Sequence, residues 1–196
     1  MSSEAQQALE RLTFGEPGGD SDQRLAELVL YVSERCFDDP AFGATKLAKI
    51  LYFADFRAFA RYGTSITLAE YMSLPRGPVP QRLLYVRSQL EGANHLFIHR
   101  SQYRGKEQHR PIARREANLD LFAPHDISLI DAVITEQWGK TATEMSNLSH
   151  DRIWEIAGTQ GRQVPKEAVF ISSEPLTPYD VQRTKELATE NGWERY

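Results

Sequence analysis

Leu25, Leu28, Val29 and Val32 recur at i, i+3, i+4 and i+7, the spacing that lines one face of a helix. A helix over about Gln23–Cys36 follows, with Asp20 and Ser21 as N-caps and Pro40 and Gly43 ending the element. Thr45–Tyr62 contains no Gly or Pro, and Leu47, Ile50, Leu51, Ala54, Ala58 and Tyr62 form one stripe. Phe53, Phe56 and Ala60 add a second apolar face, so this helix should be covered on two sides and stand at the centre. Gly63 is its natural C-terminal stop. Ser65–Leu74 alternates poorly and reads as a short extended piece or a single helical turn. Arg76-Gly77-Pro78-Val79-Pro80 is a turn expected to start a helix over Val79–Glu91, closed by Gly92.

From Asn94 the period falls to about two. His95–His99 and Pro111–Arg114 bracket Tyr103–Gln108, a hairpin with a glycine in its loop. Helical spacing returns over Ile127–Trp138, with Asp126 as a possible cap, then over Thr143–Leu148 and Asp151–Ala157. Gly158–Pro165 reads as a loop, Val169–Ile171 as a short strand, and Thr177 or Pro178 opens a last helix that ends at Asn191-Gly192. The fold class is therefore α+β and mainly helical: a compact single domain of about seven helices with one small antiparallel hairpin. Glu4–Leu12 is a further helix candidate, and the breakers from Gly15 to Gly19 set residues 1–20 apart as an arm on the domain of residues 21–196.

Composition narrows the class. With 41% hydrophobic and 26% charged residues in 196, the chain has enough apolar material for a core without staples. A lone Cys36 excludes an internal disulfide and thiolate-rich metal sites. Neither a signal peptide nor an apolar run of membrane-spanning length occurs, so a cytoplasmic protein is expected. The net charge of −4 hides a segregation: residues 1–40 carry 3 basic and 9 acidic side chains, residues 41–116 carry 13 and 5, and residues 117–196 carry 7 and 13. A basic middle between acidic flanks fits internal pairing, an acidic protein partner or nucleic acid. Within it, Arg100, Arg104, Lys106, Arg110, Arg114 and Arg115 crowd the hairpin, offset only by Glu107 and Glu116. Alternation should leave some of these cations on a solvent face, where they would steer an acidic partner. Phe97 and Tyr103 among them keep open a nucleic-acid-binding accessory role for residues 97–116, although no recognition motif accompanies them.

Signatures of catalysis are missing from the sequence, including phosphate-binding glycine loops, nucleophile elbows and zinc-protease helices. His95 and His99 share a strand face but lack an evident third ligand, so no metal or cofactor is expected. Cys36 stands at the end of a helix where nothing lowers a thiol pKa, which suits a structural cysteine. His125-Asp126 and His150-Asp151 read as helix caps or as acid–base pairs, capping being the commoner role. His150 and Trp154, at i and i+4, should face the same way, either as a core contact with a hydrogen-bonded imidazole or as a ligand-stacking pair. Asp55, inside an apolar helix, needs a partner, for which Arg82, Arg57 and Lys49 are candidates.

Taken as a block, Thr45-Lys46-Leu47-Ala48-Lys49-Ile50-Leu51-Tyr52-Phe53-Ala54-Asp55, then Tyr62-Gly63, Ile66-Thr67, Tyr71 and Gly77-Pro78-Val79-Pro80, resembles the Panacea domain of SocA-like antitoxins and phage-associated proteins. Glu144-Met145-Ser146, with His150 and Trp154, is similar to the late segment of that family, and the likeness runs over about residues 43–157. The resemblance implies a mainly helical, non-enzymatic domain that neutralises a cognate toxin by protein–protein contact. In one branch it acts as an adaptor presenting the toxin to a Clp-type protease. Arg76 departs from the aromatic that commonly precedes the Gly-Pro, and residues 1–43 lack the helix-turn-helix that some members add. Lys46, Leu47, Leu51, Tyr52, Phe53, Ala54, Asp55, Gly63, Tyr71, Gly77, Pro78, Val79, Pro80, His150 and Trp154 are expected mostly to build the fold.

Overall fold

The computed structural model describes residues 19–158, 161–170 and 178–191. The candidate helix Glu4–Leu12 lies outside the described residues, as does most of the breaker run after it. In chain order the elements are α1 (Asp20–Arg35), α2 (Ala44–Tyr62), β1 (Tyr71–Met72), β2 (Val79–Pro80), α3 (Leu83–Gly92), β3 (Leu96–Tyr103) and β4 (Lys106–Ala113). Then follow α4 (Pro124–Gln137), α5 (Ala142–Leu148), α6 (Arg152–Ala157), β5 (Gln163–Val164) and α7 (Pro178–Asn191), with 3-10 turns at Leu119–Leu121 and Lys166–Phe170. The expected class holds: seven helices among the described residues, with small antiparallel sheets.

Helix α2 is central because both of its apolar faces are buried. One face puts Leu47, Ile50, Leu51, Ala54 and Ala58 into a core shared with α1, α3, α4, α5 and the base of the hairpin. The other puts Tyr52 and Phe56 against Tyr71, Ala69, Ala157 and Val164, and Phe53 bridges the two clusters. The stripe frays at Tyr62, which is 44% exposed with its ring against His125. Gly63 follows with φ +74°, a left-handed stop that a Cβ would strain.

Several boundaries fall elsewhere than the pattern predicts. Helix α1 reaches back to Asp20, so Asp20 and Ser21 are helical rather than caps, and acidic first-turn residues favour the helix dipole. The stretch from Val79 is not helical at first: Val79 and Pro80 pair with Met72 and Tyr71 as an edge strand, and α3 begins only at Leu83. Pro80 disfavours helical backbone at Val79, and an edge strand tolerates its missing N–H. Likewise Val164 precedes Pro165 and pairs with Tyr71, so part of the expected loop Gly158–Pro165 is a strand. The expected strand at Val169 is instead a 3-10 turn that buries Ala168 and packs Val169 against the second core; Ile171 lies outside the described residues. Helix α4 starts at Pro124, and Asp126 sits a turn inside, its carboxylate accepting the Ala123 N–H at 3.1 Å.

The hairpin is longer than the apolar segments suggest. β3 and β4 pair over eight positions, from Leu96↔Ala113 to Tyr103↔Lys106. Arg104 and Gly105, with φ +50° and +75°, form the two-residue turn, the geometry that matches strand twist. Leu96, Ile98, Pro111 and Ala113 face the core at the base, whereas the outer half carries polar side chains.

Candidate functional site

The motif residues converge on two buried polar nodes along α2. In the first, the Asp55 carboxylate accepts hydrogen bonds from the Thr67 N–H (2.8 Å), the Thr67 hydroxyl and the Tyr71 hydroxyl (2.8 Å). Burial pushes its pKa above the usual carboxylate range against the pull of these donors. Neutral donors therefore hold Asp55, and none of the expected cations does: Arg82 binds Asp22, Arg57 binds Glu136, and Lys49 donates elsewhere. The same burial, with Asp55 alongside, raises the Tyr71 phenol far above its ordinary value.

The second node joins α2 to the Gly77-Pro78 turn and to the α5–α6 junction. Lys49, 1% exposed, donates to the Pro78 carbonyl at 2.7 Å, and burial lowers its pKa to about 7 although Asp151 pulls the other way. The Tyr52 hydroxyl donates to Asp151 Oδ2 at 2.8 Å, while Asp151 Oδ1 caps α6 by accepting the Trp154 N–H at 3.0 Å. Asp151 is thus a cap, as its position suggested. Gly77 has φ +92°, and a Cβ there would stand 2.2 Å from Ser149 Oγ and 2.8 Å from Lys49 Nζ.

His150 and Trp154 do stack, at 4.0 Å between ring centroids and 22° between planes. His150 precedes α6 and so does not share a helix with Trp154. Nor is its imidazole hydrogen-bonded as expected: Nε2 is buried without a partner among the described residues. Trp154 donates instead to the Leu74 carbonyl at 3.0 Å, tying α6 to the segment between β1 and β2.

At the start of α2, Lys46 forms a fully buried ion pair with Asp39 at 2.5 Å and also donates to the Lys140 carbonyl at 2.9 Å. Asp39 accepts the Ala41 and Gly139 N–H groups as well, so this charge pair meets the demand for extra hydrogen bonds. Cys36 beside it is buried, and burial with Asp39 pushes its thiol up to about 12, the profile of an inert cysteine.

The six hairpin cations divide. Arg115 grips Glu27 of α1 through two hydrogen bonds of 2.6 and 2.7 Å. Burial alone would raise the Glu27 pKa, but Arg115 and the Asn118 N–H hold it below its ordinary value. Arg110 donates to the Asp39 and Phe37 carbonyls, and Arg114 to Asn94 while lying 4.9 Å over the Phe97 ring. Arg100, Arg104 and Lys106 are exposed at the outer half, without an ion-pair partner among the described residues. Arg104 lies 5.5 Å over the Tyr103 ring. Internal pairing therefore takes the inner end of the hairpin and leaves its tip to solvent.

The described residues contain no group of three or more His, Cys, Asp and Glu side chains that could hold a metal ion, and none of their helices is long and apolar enough to cross a membrane. The family model described as "Antitoxin SocA-like, Panacea domain" matches residues 47–155, more than half of the chain. The chain belongs to this antitoxin family. The matched span contains both α2 nodes, the hairpin and the His150–Trp154 stack. No curated protein and no solved structure matches the chain. Within the Panacea domain, reading the sequence alone missed Thr67 as a partner of Asp55, and Asp151 as the acceptor for Tyr52. It also missed the Asp39–Lys46 pair just outside. A buried-helix carboxylate flanked by a downstream Thr and Tyr was the one available signal for the first.

Proposed function

We propose that this protein is a non-enzymatic antitoxin that neutralises a cognate toxin by direct protein–protein binding, with the toxin encoded beside it. The family match over residues 47–155 carries the reading. Two structural features support it. The motif side chains are committed to internal hydrogen bonds and packing, so they serve as a frame. The exposed cations Arg100, Arg104 and Lys106 at the hairpin tip suit contact with an acidic partner surface. Delivery of the bound toxin to a Clp-type protease is the finer form of this proposal, and a cytoplasmic location goes with it. Nucleic acid is the alternative occupant of the tip, where Arg104 lies over the Tyr103 ring.

The test is co-expression of the neighbouring reading frame with and without this protein, scoring growth. Rescue by the wild type and loss of rescue by a folded Arg100→Glu/Arg104→Glu variant is the expected outcome. Rescue without co-purification of the two proteins contradicts direct neutralisation. Tight binding of nucleic acid with steep salt dependence, and none of the toxin, assigns the tip to the alternative.

A further inference from the structure

The hairpin has a second property besides its charge. Tyr103 and Lys106 flank a two-residue turn, and Arg114 N–H donates to the His95 carbonyl at 2.8 Å. In an antiparallel ladder hydrogen-bonded pairs alternate, so His95, Phe97, His99, Ser101 and Tyr103 turn their N–H and C=O groups toward β4. Those of Ile98, Arg100 and Gln102 point the other way. β3 and β4 form a sheet of two strands, so among the described residues no strand pairs with β3 on that side. Among the described residues no hydrogen bond reaches the outward backbone groups of these three positions. Helix α3 packs against β3, and Leu96 at the start of the strand is buried.

Edges of this kind are usually blunted by a proline, a bulge, a short strand, a covering element or charged side chains. From Ile98 to Gln102 β3 carries one charge, Arg100, and neither proline nor bulge: it runs eight residues in unbroken register, and the proline of the hairpin, Pro111, belongs to β4. We propose that the edge of β3 from Ile98 to Gln102 is the docking site for an acidic, extended segment of a protein partner, which adds to the hairpin as a third strand. This deepens the antitoxin reading and rests on it, since the partner is the neutralised toxin. Main-chain pairing supplies affinity that depends little on partner sequence, and alternate side chains supply selection.

The side chains choose the partner's charge. On one face an added strand meets Arg100, with His109 directly across the hairpin and Glu107 engaged by His109 at 3.0 Å. On the other it meets Phe97, 43% exposed under the Arg114 guanidinium, and Tyr103 beside Arg104. Carboxylates fit the first face, and apolar or acidic side chains the second. A second copy of this chain fits badly, because β3 against β3 sets Arg100 near its own counterpart.

The probe is a synthetic peptide of alternating valine and glutamate, long enough to span β3, followed by fluorescence anisotropy on the full chain. Gln102→Pro removes one outward donor without touching the ladder to β4, while Gln102→Ala keeps that donor. The expected result is binding by the wild type and by Gln102→Ala, about tenfold weaker for Gln102→Pro, with unchanged circular dichroism. A peptide methylated on the backbone nitrogens of its pairing edge should bind as weakly, which tests the pairing even if Gln102→Pro misfolds. Equal binding of the methylated peptide, equal binding of a valine–lysine peptide, or no binding at all overturns the proposal. So does preference for oligothymidine, or self-association abolished by Gln102→Pro. Full toxin rescue by folded Gln102→Pro sinks the edge and leaves the antitoxin reading standing. Failure of the wild type to rescue sinks that reading, and the peptide alone then decides the edge.

Discussion

Gly77→Ala puts the frame to its hardest test, because two costs meet at one atom. At φ +92° any Cβ strains the backbone, which for a left-handed conformation costs roughly 1–2 kcal/mol. The added methyl also stands 2.2 Å from Ser149 Oγ and 2.8 Å from Lys49 Nζ, and overpacking of this kind costs about 1–3 kcal/mol. The sum is about 2–5 kcal/mol, a drop in melting temperature on the order of 10 °C for a chain of this size. Urea unfolding followed by circular dichroism reads it as a lower midpoint with an unchanged slope. Ser149→Ala by itself loses the hydrogen bond to the Ser146 carbonyl, about 1 kcal/mol, but in the Gly77→Ala background it removes the closest clash. The double variant should therefore be more stable than the two single losses add up to, by roughly 1 kcal/mol. Full stability of Gly77→Ala together with lost toxin binding would refute the structural role and make the turn part of the interface.

Asp55→Ala should destabilise by about 3 kcal/mol in urea unfolding, since it strands the Thr67 and Tyr71 donors in the core; Tyr71→Phe should cost less because the carboxylate keeps Thr67. Lys49 gives a pH signature. Its folded pKa of about 7 lies below the unfolded 10.5, so between these values the unfolded chain holds the extra proton. Stability should then rise with pH across that window, relative to Lys49→Met, and a flat difference curve would show the amine is not shifted. Glu27 has a linkage of the same sign in an acid window: its lowered pKa stabilises the fold above 4.5 and that gain fades as pH falls through the folded value, an effect that Arg115→Met should abolish in acid titrations. Leu47→Ala and Leu51→Ala, at 0% and 1% exposure, should each cost about 2–5 kcal/mol by the same unfolding assay.

Much of the fold was legible because helical spacing is a property of one segment. Helix α2 declared both its length and its two buried faces through Leu47, Leu51, Phe53 and Phe56. The short strands were not, because β1, β2 and β5 have two residues each, too few to show a period, and β5 pairs with β1 from far along the chain. Val79 and Val164 did carry a local signal, each preceding a proline that disfavours helix. Buried partners were the least visible. Asp55 called for a cation by charge, yet three neutral donors satisfy it, and Tyr52 meets Asp151 from 99 residues away. The hairpin's crowd of cations was plain in the sequence. Its division into an inner end held by Glu27 and backbone carbonyls and an exposed tip required the tertiary structure.

Direct association of the two proteins is the most searching measurement. Under the proposed function, the toxin whose growth arrest this chain relieves should co-purify with it as a complex, and titration calorimetry should show binding at low salt that Arg100→Glu/Arg104→Glu weakens by about tenfold or more without lowering the melting temperature. Growth rescue with no complex at any salt concentration would contradict neutralisation by binding.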